Sequence, residues 1–131
     1  MIELQRLDHL VLTVANIDIT CQFYQAAFGC EVIHFIATDG NARLALSIGN
    51  YQKINLHAAA NPLQPAAYSP QPGSADLCFL TQTPLSQVLE HLRSCSIPII
   101  EGPIQRTGTL GPILSVYIRA PMITSSRSQI P

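Results

Sequence analysis

Asp8-His9-Leu10-Val11-Leu12-Thr13 stands early in the sequence, and its pattern returns as Ala75-Asp76-Leu77-Cys78-Phe79-Leu80-Thr81. The first copy lies within Leu7–Val14, which is rich in β-branched and apolar residues and reads as a strand. A helix is expected after it, capped by Asp18, with Ile19, Phe23, Ala26 and Ala27 on one face and Gly29 at its C-terminal end. Three strands follow, at Cys30–Ala37, Arg43–Ile48 and Lys53–Ala58. Asp39-Gly40-Asn41 supplies a hairpin turn between the first two, because these residues tolerate positive φ; Gly49-Asn50 is a similar signal before the third.

Pro62, Pro65, Pro70 and Pro72 then close on Gly73-Ser74. Prolines at this density remove backbone donors and fix φ, so residues 59–74 read as an extended linker. After it the order repeats. A strand is expected at Asp76–Thr81 and a helix opened by Thr83-Pro84, with Leu85, Val88, Leu89 and Leu92 as its apolar stripe. A strand begins at Ser96–Ile100, another covers Ile113–Arg119, and the last dozen residues have room for one more. The expected fold class is therefore α+β, with two βαβββ units in a single domain over residues 1–131. The first unit spans 6–58 and the second 75–131. One such unit cannot bury both faces of its sheet, but two, within a chain or across a dimer, can form curved mixed sheets around a shared cleft.

The composition agrees. Of 131 residues, 47% are hydrophobic and 11% charged, against roughly 25% charged in an average soluble domain. Such a chain can form a core, which argues against disorder. The sparse charge also leaves apolar surface to bury against a second subunit, so a homodimer is expected. A net charge of −1 carries no footprint for nucleic acid or anionic lipid. Apolar runs of about seven residues fall far short of the ~20 that span a bilayer. Met1-Ile2-Glu3-Leu4-Gln5-Arg6 lacks the pattern of a signal peptide, which points to the cytoplasm. Cys21, Cys30, Cys78 and Cys95 form no C-x-x-C pair and no zinc spacing, and are expected to be reduced and buried.

Several stretches together resemble the vicinal oxygen chelate superfamily, which includes glyoxalase I, fosfomycin- and bleomycin-resistance proteins and extradiol dioxygenases. They are Leu7–Val14, Phe23-Tyr24 before Phe28-Gly29, Ile54-Asn55-Leu56-His57, Gly73–Phe79, and Glu101-Gly102-Pro103 leading to Arg106-Thr107-Gly108. The pattern looks like that of small glyoxalase-domain proteins of unassigned substrate. The resemblance implies a divalent metal (Ni, Zn, Mn or Fe) in the cleft, held by residues of the first and last strands of each unit. It makes His9 a ligand position on the first strand. Asn55 and His57 share a face of the fourth strand because strand side chains alternate. His57 is favoured of the two because imidazole binds borderline metals better than an amide. Asp76 stands where many members carry a histidine. His34 and His91 have no such support and read as ordinary, partly exposed residues. Arg106 is a candidate contact for an anionic group of a small-molecule substrate.

The last ligand is where the resemblance breaks. Members usually end in something like Arg-Asp-Pro-Asp-x-Asn-Leu-Ile-Glu-Val-Ser, whose glutamate ligates the metal. Here the stretch is Arg119-Ala120-Pro121-Met122-Ile123-Thr124-Ser125-Ser126-Arg127-Ser128, with Arg127 at the glutamate's place. A guanidinium cannot ligate a cation. The change has a readable origin. The expected ending written as CGC GAC CCC GAT GAT AAC CTC ATC GAG GTC, with the A of GAC deleted, becomes CGC GCC CCG ATG ATA ACC TCA TCG AGG TC. That string translates as residues 119 to 128 without a mismatch. A one-base deletion after Arg119 is the reading, and a shortened, displaced or disordered last strand is its expected consequence.

Three functions follow from these residues. One is a glyoxalase-like, metal-dependent lyase or isomerase acting on vicinal oxygens, impaired by the lost glutamate but keeping a metal through His9, His57 and Asp76. Another is a metal-free binding or sequestration protein of the bleomycin-resistance type. The third is an inactive remnant. In the first, the metal acts as a Lewis acid and a carboxylate moves the proton. Sequencing the coding DNA checks the deletion: the frame displaced by one base is expected to read Asp-Asn-Leu-Ile-Glu or close to it, and its absence there rules the deletion out.

Overall fold

Alternation along the first repeat decides how the first sheet is built. Strand β1 (His9–Val14) buries Leu12 and Val14 on one side and leaves His9 and Val11 exposed on the other. A computed structural model describes the chain apart from Pro62, residues 121–127 and Pro131, with side chains through Ala120. Arg127 lies outside the described residues.

Helix α1 (Ile17–Phe28) follows β1. Its N-cap is Asn16 rather than the expected Asp18: the Asn16 side chain accepts the Ile19 N–H at 2.9 Å. Asp18 sits in the first turn, where its charge still suits the helix dipole. Gly29 ends the helix in the left-handed conformation, as expected, and its N–H reaches the Gln25 carbonyl. The buried face is Thr20, Cys21, Tyr24 and Ala27. Ile19 and Ala26 are exposed instead, because the apolar stripe turns to put the large Tyr24 ring over the sheet, edge-on to Phe23 and Phe79.

Strands β2 (Val32–Ile36), β3 (Ala42–Ile48) and β4 (Gln52–Ala58) complete a four-stranded sheet in the order β1-β4-β3-β2. β1 runs parallel to β4, and the other pairs are antiparallel. Leu46, Ile54 and Leu56 point at α1 and are essentially sealed from solvent. At the β2–β3 turn Gly40 takes φ 84°, as its turn position requires.

The second unit departs from its sequence reading. Helix α2 (Leu85–Ser94) forms where expected, burying Leu92. Strands β5 (Glu101–Gly108), β6 (Gly111–Ala120) and β7 (Ser128–Ile130) make a three-stranded antiparallel sheet. The expected strand at 76–81 joins no sheet: Asp76 makes one isolated bridge and residues 77–81 have no strand assignment. Its burial still alternates, with Leu77 and Phe79 half-buried against the core and Asp76, Cys78 and Leu80 exposed. The physical reason lies in the partner. β1 is held by β4 running beside it, whereas residues 77–81 have no paired neighbour among the described residues. Residues 97–100 are likewise unassigned: Pro98 supplies no N–H, and β5 starts only at Glu101.

One core joins both units, with Leu92, Ile97, Ile118 and Ala120 packed into the cluster around Tyr24, Leu46 and Leu56. All four cysteines are free. Cys21 is buried, Cys30 and Cys95 are half-buried, and Cys78 is exposed, because it falls on the outward side of its stretch. No helix of the described residues is long and apolar enough to cross a membrane.

Gly102 fixes how β5 meets β6. It sits in a bulge at φ 103°, and a Cβ there would run into the Ser115 carbonyl oxygen. Gly102→Ala is expected to cost about 2 kcal/mol, a fall in melting temperature of roughly 6–10 °C. Thermal denaturation followed by circular dichroism checks this; an unchanged midpoint contradicts it.

Candidate functional site

The side of the first sheet turned away from α1 carries the polar residues. Because directly paired residues share a face, the register places Val11, Asn55 and Ala45 in one row, Thr13 beside His57 in another, and His9, Lys53 and Ser47 in a third. Lys53 Nζ sits 4.1 Å from the centroid of the Phe35 ring. Arg43 bonds Asp39, and their contact closes the β2–β3 turn.

Asn55 is the residue with unfinished business in this face. Its Oδ1 is buried and has no hydrogen-bond partner among the described residues. A buried, unsatisfied carbonyl oxygen costs about 1–3 kcal/mol. Ala45, directly opposite on β3, is fully buried and offers it no donor side chain.

His57 lies on the same strand and face, half-buried. It lines a cavity of about 90 Å³ with Thr13, Ala58 and Ala59, and two linker residues, Ala66 and Pro70, border the same space. Burial, and to a lesser degree the Arg43 charge, hold its pKa below the ordinary value, so its imidazole is neutral at pH 7. His9 stands at the sheet edge with Nδ1 2.8 Å from Asp8 Oδ2. That hydrogen bond is the main reason the Asp8 carboxyl titrates below its ordinary value. It ties up Nδ1 and leaves Nε2 for other work.

The three expected metal positions do not meet within one chain. His9 pairs with Lys53 and His57 with Thr13, so the two imidazoles are offset by four residues along the strands, about 13 Å at the usual rise. Asp76 is exposed at its isolated bridge, and among the described residues no three His, Cys, Asp or Glu side chains form a group able to hold a metal ion. By register Asn55, opposite Val11, lies closer to His9 than His57 does. As placed within one chain, His9, His57 and Asp76 do not fit a single divalent ion.

Arg106 lies on β5 and is already engaged. Its Nε donates to Tyr117 Oη at 3.0 Å, its Nη2 to Glu101 Oε1 at 3.2 Å, and its guanidinium lies near the Tyr117 ring. Tyr117 and Glu101 were not legible as partners, because a bulge between Glu101 and Ile104 shifts the register that brings them to Arg106. His34 and His91 are exposed. The His91 Nε2–H donates to the Ala26 carbonyl at 2.8 Å and ties α2 to α1.

The family model of the Glyoxalase/Bleomycin resistance protein/Dioxygenase superfamily matches residues 6–111. The chain belongs to this superfamily. Among curated relatives, Virulence protein STM3117 of Salmonella typhimurium is 46% identical over 118 residues, covering 90% of this chain and 78% of that protein. Glyoxalase domain-containing protein RDO1 of Mycosarcoma maydis is 43% identical over 120 residues, covering 92% of this chain and 65% of the fungal protein. A solved integron cassette protein from the mobile metagenome of V. cholerae superposes with a TM-score of 0.87 at 42% identity, covering 99% and 96% of the two chains. Lactoylglutathione lyase from Agrobacterium tumefaciens shares the fold alone, with a TM-score of 0.59 at 16% identity over 95% and 91%.

The depressed pKa of His57 has a thermodynamic consequence for this glyoxalase-superfamily chain. An unfolded histidine binds its proton near pH 6.5, while the folded protein resists protonating His57. Acid therefore favours the unfolded state, and stability is lost as pH falls below about 6.5 toward the lower folded value. His57→Asn is expected to lessen the fall in melting temperature between pH 7.5 and pH 5. An identical fall in both proteins contradicts the shift.

Proposed function

We propose that this superfamily member binds a small molecule with neighbouring oxygens, at least one of them a hydroxyl, on the inner face of the first sheet. The unpartnered Asn55 Oδ1 carries the reading: a buried acceptor is satisfied by a ligand donor. Two residues further along β4, the neutral His57 imidazole and the Thr13 hydroxyl lie opposite each other at the small cavity and offer hydrogen bonds to a second ligand oxygen. Asn55 and His57 thus act as one polar pair, as the spacing Ile54-Asn55-Leu56-His57 allows. Arg106 is a poorer ligand contact, since Glu101 already offsets its charge. Val11, 46% exposed in the middle of this face, fits closure of the site by a second copy in a homodimer.

The Asp8–His9 pair favours a second reading, in which bound substrate also undergoes lyase or isomerase chemistry. A carboxylate that holds Nδ1 keeps the imidazole in one orientation with Nε2 directed elsewhere, the arrangement a general base needs. His9 then moves a proton from a carbon next to a carbonyl, and Asp8 stabilises the imidazolium that forms.

Thermal-shift titration with hydroxyacetone, glycerate and related small α-hydroxy carbonyl compounds tests both readings. Asn55→Leu replaces the amide by an apolar group of similar shape. It is expected to leave the free protein as stable or about 1 kcal/mol more so, and to abolish the ligand-induced shift. His9→Gln is expected to keep binding and lose any turnover. A ligand shift that survives Asn55→Leu overturns the assignment.

A further inference from the structure

The linker after β4 returns to the polar face of the first sheet. β4 stops at Ala58, the Ala59 N–H still donates to the Val14 carbonyl at 2.9 Å, and the Asn61 N–H turns back to the Ala58 carbonyl at 3.2 Å. Further on, Leu63, Ala66 and Pro70 are half-buried, whereas Ala67, Tyr68 and Ser69 are exposed. Residues 66–70 thus form an arch, with both ends on the small cavity at His57 and its middle in solvent. Pro65, Pro70 and Pro72 each fix φ, and the Ser74 hydroxyl donates to the Gln71 carbonyl at 2.9 Å. The arch therefore has little conformational freedom left to lose when a ligand arrives.

The cavity has two kinds of wall. Thr13 and His57 bring polar side chains, and the other described lining residues are three alanines and a proline. Its volume of about 90 Å³ is roughly the share of three water molecules, so about three non-hydrogen atoms fill it. Donor and acceptor roles orient what enters. The unpartnered Asn55 Oδ1 accepts only, so it takes a ligand hydroxyl. The Thr13 hydroxyl and the imidazole N–H of His57 donate, so they take a carbonyl oxygen. The carbon and oxygen of that carbonyl use most of the space, which leaves room for about one carbon beyond them.

We infer that Ala66 and Pro70 are the specificity wall of the ligand site, and that the ligand is an uncharged α-hydroxy methyl ketone whose methyl group seats against the linker. The inference rests on the ligand reading for the first sheet and narrows it. A longer acyl chain collides with the arch, and a carboxylate in the same place meets no cation among the described lining residues. Ala66 matters most, because a single methyl group there separates a cavity that stops at one carbon from one that admits more.

Calorimetric titration of the full chain with hydroxyacetone and its ethyl and propyl ketone homologues tests this. From the methyl to the propyl ketone Kd is expected to rise at least ~10-fold. Ala66→Gly is expected to cut that ratio to ~3-fold or less, and Ala66→Leu to weaken hydroxyacetone itself at least ~10-fold by filling the cavity. Ala67→Gly loosens the same arch at an exposed position and is expected to keep the original ratio. A ratio near one in the unaltered chain, a ratio that Ala66→Gly leaves in place, or equal changes in Ala66→Gly and Ala67→Gly overturn the wall. If Ala66→Leu does not fold, the two glycine variants decide. Hydroxyacetone binding that Asn55→Leu abolishes, with a ratio unmoved by Ala66→Gly, overturns the wall and leaves the ligand reading standing. Failure of all three ketones to bind the unaltered chain overturns both.

Discussion

Parallel pairing of β1 with β4 is the contact on which the rest of this molecule depends. It brings the two ends of the first unit together, so that one set of alternating residues closes the core under α1 and the other set forms a polar face. Parallel pairs need a long crossover, and here the whole of α1, β2 and β3 serves as one. A one-residue slip would send Ile54 and Leu56 outward and Asn55 and His57 into the core. Core and site are thus two results of one register.

Much of this order was written plainly in the residues. Leu7–Val14 and the glycines at 29, 40 and 49 mark strand, helix end and turns close to where they stand. The helix cap lies two residues before the expected Asp18, because Asn16 and Asp18 are both good caps and only the backbone angles at Asn16 select it. The expected strand at 76–81 differs from the structure for another reason. Its own residues are strand-like, but a strand exists only with a partner, and partnership depends on residues some fifty positions away.

The candidate site was legible in kind more than in detail. His9, Asn55 and His57 lie on one face as alternation requires, but the offset between the histidines is a property of register, which no local pattern reveals. That offset shifts attention from the imidazoles to the amide between them. Arg106 shows the same limit. Its charge was visible in the sequence, yet its hold on Tyr117 and Glu101 depends on a bulge centred on a glycine and a proline. In both units the chemistry of a residue is set by what the neighbouring strand places opposite it.

Helix α2 carries a consequence for how the chain comes into being. Its ten residues include one buried side chain and no side-chain cap at the N-terminus, and helices this short hold together mainly through tertiary contacts. Leu92 and the His91 link to Ala26 supply those contacts from the first unit. Every strand pairing of the first unit, by contrast, lies within residues 9–58. During synthesis the first half can therefore complete its sheet while the second is still within the ribosome, and then serve as the surface on which α2 condenses.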